Sequence, residues 1–125
     1  MATTFNISLS IRESVSGQEM FGAPLVAIVV VDEHTGVMRY ERVTGGGYAA
    51  VPPAVLDDVQ LLVVRPTQQQ MTFRLDGQSD AGIVVKTNGF LAIVNGNIDA
   101  AAATNVTGDN SSGSTTVLEA FAGGT

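Results

Sequence analysis

The stretch AGIVVKTNGFLAIVNG, residues 81–96, decides the fold. Two β-rich runs, Ala81 to Thr87 and Phe90 to Val94, flank the dipeptide Asn88-Gly89. Asn and Gly tolerate positive φ, and a two-residue type I′ turn needs it at both central positions. The stretch therefore predicts a β-hairpin. Asn95-Gly96 predicts the end of its second strand in the same way.

The same grammar extends in both directions. Val59 to Arg65 reads as a strand stopped by Pro66. Gln69 to Leu75 places Met71, Phe73 and Leu75 on one face. Thr104 to Thr107 and Thr115 to Phe121 read as a last pair around the polar loop Asp109-Asn110-Ser111-Ser112-Gly113-Ser114. Towards the N-terminus, Thr4 to Arg12 alternates, with Phe5, Ile7, Leu9 and Ile11 on one face and polar residues on the other. That is a half-buried antiparallel strand. Leu25 to Val31 is apolar throughout and reads as a central strand covered on both faces. Asp32-Glu33-His34-Thr35-Gly36 is a turn that returns the chain as Val37 to Val43, so these two runs are expected to pair. One short helical turn is expected near Val55 to Asp58, and the alanines Ala100 to Ala103 are too few for an independent helix.

About eight or nine short strands, spaced roughly ten residues apart, make an all-β chain. The expected architecture is an antiparallel β-sandwich, jelly-roll-like, in a single domain spanning residues 1–125.

Composition narrows the function. Hydrophobic residues are 45% of the chain and charged residues 14%, against about 25% charged in ordinary soluble domains. A monomer needs charge to cover its outside, so part of this surface is expected to be covered by a partner. The net charge is −6, and the six basic residues (Arg12, Arg39, Arg42, Arg65, Arg74 and Lys86) are scattered. Nucleic acids and anionic membranes need clustered positive charge, so neither is an expected partner. The absence of cysteine excludes disulfides and thiolate chemistry. Met1 to Asn6 lacks the features of a signal peptide, so synthesis in the cytoplasm without export is expected, and the Asn-x-Ser/Thr sequons are incidental.

Chemistry-bearing patterns are few. The single histidine, His34, sits beside Asp32 and Glu33 in a turn, with no second His to complete a metal site. Asp57-Asp58 is an acidic pair with no marked partner across a cleft. The loop Asp109 to Gly113 is oxygen-rich but lacks the spaced carboxylates of a calcium loop, and reads as a flexible surface loop. Gly45-Gly46-Gly47 is followed by Tyr48 and Pro52-Pro53, with no helix or Lys to make a phosphate cradle. No nucleophile elbow is present. No enzymatic activity, metal or cofactor is expected.

Val59 to Pro66, Asn88-Gly89-Phe90 to Asn95-Gly96, and Thr104 to Thr107 followed by Asn110-Ser111-Ser112-Gly113 together resemble the small β-sandwich structural proteins of tailed bacteriophages. The resemblance covers residues 59–125 and is one of style, with no invariant motif. It implies a virion protein made in the host cytoplasm. The first expectation is a capsid decoration or cement subunit, with a fibre, collar or tail component as the alternative. The implied partners are further copies of the chain and other virion proteins such as the major capsid protein. A carbohydrate-binding β-sandwich is a second class of function, with Tyr40 and Tyr48 as its exposed aromatics. The expected assembly contacts are Met20 and Phe21 in the segment 18–24, and Tyr48, Val51, Pro52 and Pro53 in the segment 45–55, because apolar loop residues are awkward in a monomer and useful at an interface.

Overall fold

The structure is a computed structural model that describes residues 2–51, 56–75, 81–99 and 106–125. Every regular element among them is a strand. In chain order these are β1 (Thr3–Leu9), β2 (Leu25–Val31), β3 (Glu33–His34), β4 (Met38–Arg42), β5 (Ala49–Ala50) and β6 (Asp58–Pro66). β7 (Met71–Arg74), β8 (Ile83–Val85), β9 (Leu91–Asp99), β10 (Thr107–Asp109) and β11 (Thr116–Gly124) follow. The eleven strands exceed the eight or nine expected because Glu33 and His34, expected in a turn, pair with β11 as β3, and because β5 is a two-residue strand in the Gly/Pro segment.

Two antiparallel sheets face each other. One has the order β5-β10-β7-β8. The other has the order β3-β11-β6-β9, with β4 pairing further along β11. The pairing is nested: β4 with β11, β5 with β10, β6 with β9 and β7 with β8. Consecutive strands therefore often sit in opposite sheets. Leu62 and Val64 of β6 and Leu118, Ala120 and Ala122 of β11 meet Met71 and Phe73 of β7 and Val85 of β8 in one buried core. Fully burying each large apolar side chain contributes about 1.5–3 kcal/mol.

This arrangement corrects several local readings. Asn88-Gly89 does make a turn. The Gly89 amide donates to the Lys86 carbonyl at 2.9 Å, and Asn88 has φ +68° while Gly89 stays outside the positive region. One positive φ, at the third position, is not the type I′ pattern. The strands on either side do not pair: β8 joins β7 in one sheet and β9 joins β6 in the other. The turn is an arch between sheets, because Val85 is needed beside Met71 and the β9 side chains are needed beside β6. Thr107 and the residues after Thr115 part company in the same way, with β10 on β7 and β11 on β6. Asn95-Gly96 does not end a strand. β9 runs through it, and the pairing slips there, with Asn95, Gly96 and Asn97 opposite Gln60 alone. This bulge lets Val59 and Leu62 both face the core while Leu61 faces out. The alanines Ala100 to Ala103 and the residues Pro52, Pro53, Ala54 and Val55 lie outside the described residues.

The largest correction concerns β2. It does not pair with the run after the turn and it is not central. It pairs with β1 alone, from Thr3↔Val31 to Leu9↔Leu25, in a two-stranded ribbon. The base of that ribbon lies on the outer face of the β11–β6 sheet. There Val29, Val31 and Leu61 are buried, and Phe5, Ile7 and Phe121 pack against them.

Candidate assembly surface

Beyond Ile7 the ribbon leaves the body as an arm. Hydrogen bonds hold its end, with little burial. The Met20 amide donates to the Ile11 carbonyl at 2.8 Å, and the Glu13 amide to the Gln18 carbonyl at 2.9 Å. Glu13 accepts the Val15 and Ser16 amides, and Glu19 accepts the Ser10 hydroxyl and the Ile11 amide. These bonds favour the charged carboxylates. The Ser16 amide, first of all, holds Glu13 below its ordinary pKa, and the Ser10 hydroxyl does the same for Glu19. A tip fixed in this way loses little freedom when a partner covers it.

The arm is dressed in apolar side chains. Fifteen large hydrophobics stand exposed among the described residues, and nine of them fall between Leu9 and Val30. Val26, Ile28 and Val30 form a stripe on the face turned from the sheet, and they are 72%, 64% and 55% exposed. Their cross-strand partners Ser8, Asn6 and Thr4 are polar. Leu9, Ile11 and Leu25 carry the inner face out past the body, and Met20 and Phe21 stand exposed at the end. The continuous apolar run of β2 thus has one face covered at Val29 and Val31 and the other face bare.

The body has an uncovered apolar region of its own. It lies on the same outer sheet face, next to the base of the ribbon. Val63, Phe121, Val37 and Phe90 line a cleft of about 470 Å³. One end of the cleft is a row of charges in register across three strands, Arg39 on β4, Glu119 on β11 and Arg65 on β6. Arg65 donates through Nε to Glu119 at 3.0 Å, and Arg39 Nη2 reaches the same carboxylate at 3.0 Å. The Arg65 hydrogen bond, ahead of the Coulomb attraction of both guanidiniums, lowers the Glu119 pKa. A carboxylate with a depressed native pKa stabilises the fold above its unfolded pKa of about 4.3, and that contribution is lost as pH falls through the lower native value. We expect Glu119→Gln to flatten the acid side of the stability–pH profile below pH ~4.3 while leaving the neutral side's slope unchanged. Urea melts across that range would check this, and a parallel acid limb in the variant would refute it.

The expected contact residues separate in the structure. Met20 and Phe21 are exposed on the arm, at 58% and 60%. Tyr48 is half-buried, with the Arg74 guanidinium 3.9 Å from its ring centroid. Val51 is no surface residue. It is 1% exposed, because its amide bonds the Val106 carbonyl at 3.1 Å and its side chain enters the core between the sheets. Pro52 and Pro53 lie outside the described residues. The exposed stripe on β2 is not among the expected contacts, because an unbroken apolar run reads as an interior strand.

His34 is exposed on β3, its Nδ1 lies 2.8 Å from the Thr35 carbonyl oxygen, and its ring stands edge-on to Phe5 at 5.1 Å. Among the described residues no three His, Cys, Asp or Glu side chains are grouped so as to hold a metal. The loop 109–114, expected to be flexible, is pinned by the buried Asn110. Its Nδ2 donates to the carbonyls of Arg42 and Ser114, both at 2.8 Å, and its Oδ1 accepts from the Ser112 amide and hydroxyl. Tyr40, the other aromatic expected on a sugar platform, is half-buried with the Arg42 guanidinium 5.2 Å from its ring centroid.

The chain matches no protein-family model, no curated protein and no solved structure.

Proposed function

We propose that this chain is a structural subunit of a tailed-phage virion. In this reading it is a non-catalytic decoration or cement protein that binds the particle and its own copies through apolar, charge-poor surfaces. The observation that carries it is the ribbon and its tip, where nine large hydrophobic side chains between Leu9 and Val30 stand exposed although the core is already closed. Contiguous apolar surface on this scale marks an interaction site. Two features support the virion setting. The nested pairing of β4 to β11 supports a jelly-roll-like reading of the sandwich, and viral capsid proteins use that architecture among other families. The phage-like style of residues 59–125 points the same way.

The test is occupancy of the particle. Virions purified from a lysate in which the gene is expressed should carry the chain in a fixed ratio to the major capsid protein. Stripped particles should take the purified chain back in a pelleting assay, and Val26→Asp with Ile28→Asp should abolish that recovery. Absence of the chain from washed virions would refute the reading.

A further inference from the structure

We infer that the arm of one copy seats in the outer-face cleft of a second copy, so that the chain assembles head to tail. The inference shares with the proposed function the reading of the arm as an assembly element, but it commits to the occupant: another molecule of this same chain.

Two observations select that occupant. The first is continuity. Phe121 packs against the covered base of the ribbon on one side and lines the open cleft on the other. The cleft is thus the uncovered remainder of a surface that already accepts this ribbon's apolar face. Phe5 and Ile7 fill the covered half, and Leu9, Ile11, Met20 and Phe21 carry similar chemistry further out on the same arm. The arm's own cleft is not filled by them, since all four stand exposed.

The second is charge. Over residues 3–31 the arm carries Arg12 against Glu13 and Glu19, a net −1. The cleft carries Arg39 and Arg65 against Glu119, a net +1, and the two Arg side chains are 66% and 56% exposed. The acidic arm tip and the basic end of the cleft are complementary, which favours this register over arm-to-arm contact between like charges.

An arm entering a different patch is a heterologous contact, which closes into a ring or extends into a fibre.

The test uses two exposed sites that leave the core untouched. Arm variant Met20→Glu with Phe21→Glu and cleft variant Val37→Glu with Phe90→Glu should each melt like the wild type. Each alone should lose self-association in light scattering, with an apparent Kd raised about tenfold or more, the effect of removing a central aromatic anchor. Mixed one to one, they should form a dimer that grows no further, because one intact arm meets one intact cleft and the remaining pair is blocked. Because the chain has no cysteine, Phe21→Cys mixed with Phe90→Cys should give the mixed disulfide in preference to either homodimer. A monomeric wild type, a cleft variant that assembles normally, or dominant 21–21 disulfides would overturn the inference. Pelleting with virions, run in parallel, separates the two claims. A chain that binds particles but never itself removes the head-to-tail contact and leaves the virion role. A chain that passes the mixing test but is absent from virions does the reverse.

Discussion

Phe73→Ala should cost about 4 kcal/mol of folding stability, within the ~3–5 kcal/mol range for deleting a buried phenylalanine. Phe73 is fully buried and is among the largest of the wholly enclosed side chains. It sits on β7 between β10 and β8, opposite Gly108 and Ile83. The ring lies over Gly108, where an added Cβ would come within 2.9 Å of the phenylalanine Cε1. Strand and ring were therefore fitted to each other: the glycine leaves room that only an aromatic fills. Removing the ring opens a cavity that Gly108 cannot help to close, which places the effect in the upper part of the range. Denaturant melts would measure it as a drop in midpoint at constant slope. A loss below about 1.5 kcal/mol would mean that the two sheets are less tightly packed than described.

Gly124→Ala should cost about 3 kcal/mol, the upper end of ordinary overpacking. This glycine ends β11 where its pairing with β6 slips by a residue. A methyl group there would collide with the Asp58 carbonyl oxygen and come within 3.2 Å of the Val59 Cα. Both obstacles are backbone, so no rotamer change relieves them. The neighbourhood is also a junction. The Gly124 carbonyl accepts the Asp32 amide at 2.9 Å, and the Thr125 amide donates to the Asp58 carbonyl at 3.1 Å. Asp32 follows the last residue of the arm's second strand. The substitution should therefore raise amide exchange at the base of the arm together with the loss of global stability. Loss of stability with an unchanged exchange pattern around Asp32 would show that the arm is anchored by its side chains alone.

The individual strands were legible because each needs only its neighbours in sequence. Pro66 ends β6 as expected, and alternation in Met71-Thr72-Phe73 places two side chains in the core. Partners were less legible. Asn88-Gly89 and the gap after Thr107 carry real turn chemistry, but a turn constrains only the direction of the chain. It does not say whether the next strand hydrogen-bonds its predecessor or crosses to the facing sheet. That choice depends on which distant side chains close the core, and Val85 beside Met71 with Leu62 beside Ile93 closes it with an arch. Pro-rich segments aside, the same reason explains Val51. Its loop-like surroundings suggested surface, while the pairing of its amide with Val106 draws it inside.

The sequence by itself determined that the chain is all-β, which residues make most of its strands, and that few of its residues carry charge. These are local or compositional properties, set by φ preferences and by the side chains the chain must place somewhere. Only the tertiary structure decided where the bare surface lies. Leu25 to Val31 reads as a strand covered twice over, yet the fold covers one face with its own sheet and leaves Val26, Ile28 and Val30 in water. An apolar run records only that both faces are hydrophobic. Whether the molecule covers both faces depends on how far the chain can fold back on itself, and here the sandwich is already complete without β2.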